Sequence, residues 1–265
     1  MTTLAENPGA KLNYGIRGGI PSARMEQIHL GLAYPMKLQQ ILPFLVDPLV
    51  TLMKPSKMKA TIRLSDGWHV LNQARIGLVE AEACKVYYEE IEPNRTEGIF
   101  WSRYYFDDAA LRLHSSCEHL LRSVDHYWTL RTSDKGLPVD GSAPSSRSRD
   151  CLLVRVLKGA ESSKNKVVSG DVARPLRRLR ASREWTECMR HRNDWVHNRL
   201  PATEGLNPAI NFKAGKSGGV QMSIGVGPDI SELRETVRLA FKALFDVYDE
   251  LARLIAKDSG TPSTA

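Results

Sequence analysis

The sequence predicts an all-α protein built as a bundle of four long helices, and three observations carry that prediction. Apolar residues recur at spacings of three and four along four stretches, near 68–92, 101–130, 184–200 and 231–257. Each of these stripes covers one side of its helix, so none of the four can bury its apolar face without the others. Strand-like alternation is confined to one short segment, 207–226, which reads as a small β-hairpin inserted between helices.

Taken in order, residues 1–66 mix early Gly and Pro with a broken apolar run. Lys59–Leu64 within them reads as a short strand, so the segment is expected as an N-terminal extension packed on the body. From Trp68 the pattern turns helical and runs to Pro93, a stop signal, with Gly77 the one interruption. The 101–130 helix carries Leu113, Cys117, Leu120, Leu121, Val124, Tyr127 and Trp128 on one stripe. Residues 131–150 form a polar Ser/Pro/Gly loop. A short apolar run at 151–159 and a stretch from Asp171 to Leu179 read as further helices, and the 183–200 helix stops at Pro201. The last helix begins after Asp229 or Ser231, either a suitable cap, and carries a stripe from Leu233 to Leu254. The expected organisation is a helical domain over 67–257, with a disordered tail at 258–265. The residues expected inside are Leu120, Leu121, Val124, Val196, Phe241, Leu244 and Leu251.

Composition excludes several classes. Cys84, Cys117, Cys151 and Cys188 are far apart, with no C-x-x-C pair, which argues against a zinc ribbon or a secreted disulfide framework. The longest apolar run, Ile41–Met53, is interrupted by Pro43, Asp47 and Pro48 and falls short of the roughly 20 residues of a membrane span. The N-terminus carries Glu6 and lacks a basic-then-apolar leader, so a cytoplasmic protein without membrane association is expected. The charge is uneven. The whole chain carries +7, yet Arg147–Arg199 alone holds 14 Lys/Arg against 6 Asp/Glu. A basic block in one fifth of the chain suggests a footprint for phosphates, with Arg177, Arg178 and Arg180 as candidate RNA contacts.

Two motif matches fail on context. Gly215-Lys-Ser-Gly-Gly219 resembles the end of a P-loop, but Ile210 stands where the first glycine belongs. It also satisfies G-x-S-x-G, yet strand-like residues follow where a nucleophile elbow needs a helix, so a hairpin turn is the better reading. His114, Glu118, His119 and His126 share a helix, but no Glu-x-x-His pair recurs on two helices, and no metal is expected.

One constellation remains. In Glu184–Leu200, Trp185, Cys188, Met189, Trp195, Val196 and Leu200 share a stripe, and Arg192 occupies its gap. A cation on a half-buried seam needs a partner or a polar cleft, and Glu118 is a candidate partner. Asn193 and His197 stand four apart beside the stripe, flanked by Arg190. A fixed cation, an amide and a histidine together make a phosphate clamp beside a group that moves protons near neutral pH.

Arg192-Asn-Asp-Trp-Val-His197 resembles the signature of the HEPN superfamily, an Arg followed by a polar residue and then, a few residues on, a His. Cys117-Glu-His-Leu-Leu121 looks like the family's acidic position, here Glu118. Arg24-Met-Glu-Gln-Ile-His29 has the same spacing but no bundle helix around it, and serves as an internal control. The resemblance covers roughly 68–257. It implies an up-and-down four-helix bundle, commonly a homodimer whose Arg–His motifs meet near the two-fold axis. It also implies metal-independent endoribonuclease activity of the toxin–antitoxin, defence or RNA-processing kind, with RNA as substrate, no cofactor, and an antitoxin or other protein as partner. On that reading His197 moves the proton, Arg192 stabilises the phosphorane, Asn193 contacts phosphate or orients the histidine, and Arg190 helps keep His197 neutral. The alternative is a non-catalytic helical module that binds nucleic acid, nucleotide or a protein through the basic segment.

Overall fold

The computed structural model describes residues 16–31, 55–130, 151–198, 209–214, 220–225 and 229–258. The polar loop 131–150, the hairpin turn 215–219, Leu200 and the tail beyond Asp258 lie outside the described residues. The elements are α1 (Ile16–Gly19), α2 (Ser22–Gly31), α3 (Pro55–Val86), α4 (Arg95–Trp128), α5 (Leu152–Glu161), α6 (Ala173–Ala181), α7 (Arg183–Asn193), β1 (Ala209–Ala214), β2 (Val220–Gly225) and α8 (Ile230–Asp258). Three π-helical turns adjoin them, Tyr87–Ile91 after α3, Val168–Val172 before α6 and Asp194–Asn198 after α7. Helix dominates, as expected. The two strands pair antiparallel, with Ala209 opposite Gly225 and Ala214 opposite Val220. None of the described helices is long and apolar enough to cross a membrane.

The first long helix corrects the sequence reading. Lys59–Leu64 is helical, not a strand, and α3 begins at Pro55, so residues 55–66 are continuous with the helix read from Trp68. Proline suits the first helical position, where its missing N–H has no intrahelical partner to lose. Ala60, Leu64, Trp68, Leu71, Ala74, Leu78 and Ala81 are all buried, one unbroken stripe that runs past Ser65, Asp66 and Gly67. The control segment, Arg24 to His29, lies on the short helix α2, which is not one of the four long helices.

The other helices end on local chemistry. The Asn94 side chain accepts from the Glu97 N–H at 3.3 Å and caps α4. Thr129, with φ of 51°, closes that helix in the left-handed region, and the Leu130 N–H reaches back to the Asp125 carbonyl at 3.1 Å. Ser182 Oγ accepts from the Trp185 N–H at 3.1 Å and caps α7.

The chain divides into two compact units, and α3, α4, α7 and α8 each contribute a stretch to both. Unit 1 draws on Gln73–Arg112 and Glu187–Ala240 together with α1 and α2. Unit 2 draws on Leu113–Thr186, Phe241 onward, and α3 up to Asn72. The core of unit 2 is apolar: Leu120, Leu121, Val124, Phe241, Leu244 and Leu251 are buried as predicted. It contains one polar knot. Ser116 Oγ donates to the Gly67 carbonyl at 2.8 Å, and the Tyr248 hydroxyl, itself fully buried, donates to the Ser116 carbonyl at 2.8 Å.

Gly67 is what lets α3, α4 and α8 meet there. A Cβ at this position would stand 2.1 Å from the Tyr248 hydroxyl oxygen and 2.7 Å from the His119 Cβ. Gly67→Ala is therefore expected to destabilise the protein by about 1–3 kcal/mol despite alanine's better helix propensity. Chemical denaturation measures it, and a Gly67→Ala variant as stable as wild type would contradict this packing.

In unit 1, α3 and α4 approach closely through small residues. A Cβ on Gly77 would lie 3.2 Å from the Tyr105 carbonyl and 3.4 Å from the Ala109 Cβ, with Ala74, Ala81 and Ala110 buried nearby in the same unit. Unit 1 differs from unit 2 in having a core that is partly ionic. Glu82, Ser102, Arg103 and Asp107 are all buried.

Candidate functional site

α4 places Arg103 and Asp107 four residues apart, and therefore on one face. Asp107 Oδ2 lies 3.5 Å from Arg103 Nε, and Asp107 Oδ1 lies 2.6 Å from Nε2 of His191 on α7. The three side chains are 8%, 7% and 11% exposed. A carboxylate can only accept, so the proton of this short contact sits on His191 Nε2. The contact docks the last turn of α7 onto α4. Arg234 of α8 pairs with the buried Glu82 of α3 in the same unit.

The next two residues of α7 are the predicted ones. Arg192 is half-buried, and its Nη1 donates to Asn193 Oδ1 at 2.9 Å. Its Nε is buried and has no hydrogen-bond partner among the described residues. Asn193 is exposed, and so is Arg190, one residue before His191. Beyond Asn193 the backbone changes from α- to π-helical over Asp194–Asn198. Residues five apart then follow one another up the helix, which sets the backbone of His197 about one turn beyond Arg192. The His197 side chain lies outside the described residues.

The same turn corrects one core assignment. Val196, expected inside, is 43% exposed, while Trp185 and Cys188 earlier in the stripe are buried as expected. A stripe extrapolated at the α-helical period rotates off its face once the helix widens.

Comparison of the chain with protein-family models, curated proteins and solved structures finds no match.

The acidic residue that α4 presents to α7 is Asp107. Glu118, the sequence candidate, is half-buried and belongs to unit 2, whereas Arg192 belongs to unit 1. Asp107 and Glu118 are eleven residues apart, about three helical turns, and so share a stripe. The signal that was available is the Arg103–Asp107 spacing beside Phe106, Ala109 and Ala110, an ion pair written into an apolar seam.

The basic block is arranged differently. Arg177 Nη2 pairs with Glu161 at 2.7 Å, Arg178 pairs with Glu250, and Arg180 is exposed. All three belong to unit 2. These exposed pairs are individually weak, so a phosphate backbone can displace the carboxylates. If the block contacts RNA, replacing Arg177, Arg178 and Arg180 together by Ala should weaken binding similarly across sequences. It should also flatten the salt dependence by about 0.7 in slope for each single-strand phosphate that the variant no longer neutralises. An unchanged affinity and slope would make the block a solvated face.

Burial pushes the thiols of Cys84 and Cys188 up to about 12 and that of Cys117 up as well, which removes them as thiolates near neutral pH. His114, His119 and His126 are half-buried on α4. Among the described residues no group of three His, Cys, Asp or Glu side chains is placed to hold a metal ion.

Proposed function

We propose that this protein is a HEPN-like, metal-independent endoribonuclease that cleaves RNA by attack of the ribose 2′-hydroxyl on the adjacent phosphorus. The observation that carries the reading is the Arg192–Asn193 pair at the end of a helix anchored by Asp107 and His191, with the His197 backbone about one π turn further on. An anchored guanidinium is suited to the extra negative charge of a phosphorane, because it need not reorganise as that charge develops. Asn193 Oδ1 is occupied by Arg192, so its amide nitrogen is the end that donates to a phosphate oxygen.

Neutral His197 takes the 2′-hydroxyl proton, O2′ bonds to phosphorus, and the bond to the 5′-oxygen breaks as that oxygen receives a proton. The products are a 2′,3′-cyclic phosphate and a 5′-hydroxyl. In a homodimer whose motifs meet, one histidine serves as base and its counterpart as acid. An antitoxin or comparable partner would act by covering this end of α7, as suits a toxin or defence enzyme. The deciding experiment incubates the purified protein with several RNAs in EDTA and analyses the fragment ends. Absence of cleavage, or fragments with 3′-hydroxyl ends, overturns the reading.

A further inference from the structure

We propose that the rings of Phe100 and Tyr104, backed by Trp101 and Tyr105, form a stacking surface for unpaired RNA bases beside the cationic end of α7. This rests on the ribonuclease reading for its ligand, and it assigns a binding role to residues outside the Arg–His motif.

The rings form a chain of edge-on contacts along α4. Centroids are 5.1 Å apart from Phe100 to Trp101, 6.0 Å from Trp101 to Tyr104 and 5.4 Å from Tyr104 to Tyr105, with interplanar angles of 87°, 74° and 81°. Edge-to-face packing of this kind holds each ring in place while leaving a face open. Phe100 is 51% and Tyr104 56% exposed. Large rings left in water in a cluster mark an interaction surface more often than isolated apolar residues do.

Their place on α4 indicates the occupant. Phe100 lies seven residues before Asp107, and so on the same stripe. That stripe is buried at Arg103 and Asp107, where His191 of α7 docks, and opens to solvent about two turns earlier, at Phe100. The last turn of α7 carries Arg190, His191 and Arg192. Tyr104 is thus within a helical turn of the carboxylate that holds His191, and Arg192 is the next residue along α7. The carboxylates nearest the rings in sequence are already engaged: Glu97 accepts from the Tyr88 hydroxyl, and Asp108 pairs with Arg112 at 2.7 Å. Aromatic faces in a row beside a cationic helix end are what a single strand needs, with the rings taking bases and the cations taking phosphates. A duplex keeps its base faces stacked inside and gains nothing from such a surface.

The test uses the full chain and a single-stranded oligoribonucleotide of about twelve nucleotides with 2′-O-methyl riboses, which it cannot cleave, together with the corresponding duplex. Replacing Phe100 and Tyr104 together by Ala should weaken single-strand binding about 10- to 100-fold. The salt slope should stay unchanged, because the same phosphates are still neutralised, and duplex binding should not move. Tyr104→Phe should bind as wild type. Both side chains are exposed, so thermal unfolding of the double variant should match wild type. Equal single-strand affinity in the double variant overturns the proposal, as does no binding of the probe by wild type. A change in oligomeric mass by light scattering with RNA affinity intact also overturns it, and would mark a protein interface instead. Because the probe is not cleavable, weaker binding on removal of the rings supports the surface even where wild type cuts no RNA. Conversely, cleavage with ring variants that bind normally sinks the surface alone.

Discussion

Replacing His197 by Ala is expected to lower RNA cleavage in EDTA by about 10²–10⁴-fold, with RNA binding nearly unchanged. A proton-transfer group acts mainly in the transition state, so its loss falls on turnover. Arg192→Ala should lose a comparable factor and also weaken binding, since its charge faces phosphate in the ground state as well. Arg192→Lys should not rescue the loss, because an ammonium cannot both donate to Asn193 Oδ1 in the same geometry and present a planar fork to phosphate. Arg24→Ala and His29→Ala are the controls. They have the same spacing, but Arg24 of α2 pairs with Glu90 of the π turn Tyr87–Ile91 across an exposed contact of 2.7 Å, away from the motif in sequence, and cleavage should be unaffected. If the His197 variant cuts as well as wild type, the ribonuclease reading fails. The helical module that binds without catalysis then becomes the better account.

The second large effect concerns the anchor. Asp107→Ala removes the carboxylate that both Arg103 and His191 face, all three side chains being at most 11% exposed. Breaking a buried ionic contact of this kind costs about 3–5 kcal/mol, because the Arg103 guanidinium stays out of water without the anion that offset its desolvation. The midpoint of urea unfolding should drop accordingly. Asp107→Asn keeps an acceptor for the His191 N–H but not the charge, and should lose less. If the Ala variant unfolds at the wild-type midpoint, the ionic core of unit 1 contributes little. The claim that α7 is held in place by this contact then falls with it.

How far the site was legible follows from these residues. Arg192 stood out because a cation interrupted an apolar stripe, a signal that needs nothing but the α-helical period. Asp107 and His191 did not stand out. Asp107 sits beside Asp108, and His191 between two arginines, so each reads as part of a solvated charged face. Their pairing joins residues 84 positions apart, and no local rule links them.

What the sequence by itself determined is the helical class, the main apolar stripes and the cores they build, and the antiparallel strand pair within 207–226. These follow from period and composition, which act over a few residues at a time. The tertiary structure alone decided the rest. It made 55–66 helical, because Ala60 and Leu64 are buried on the same face of α3 as Trp68 and Leu71. It exposed Val196, because the backbone widens to a π turn after Asn193. And it paired Asp107 of α4 with His191 of α7, because the level at which two helices meet is set by the whole packing and not by the period of either one.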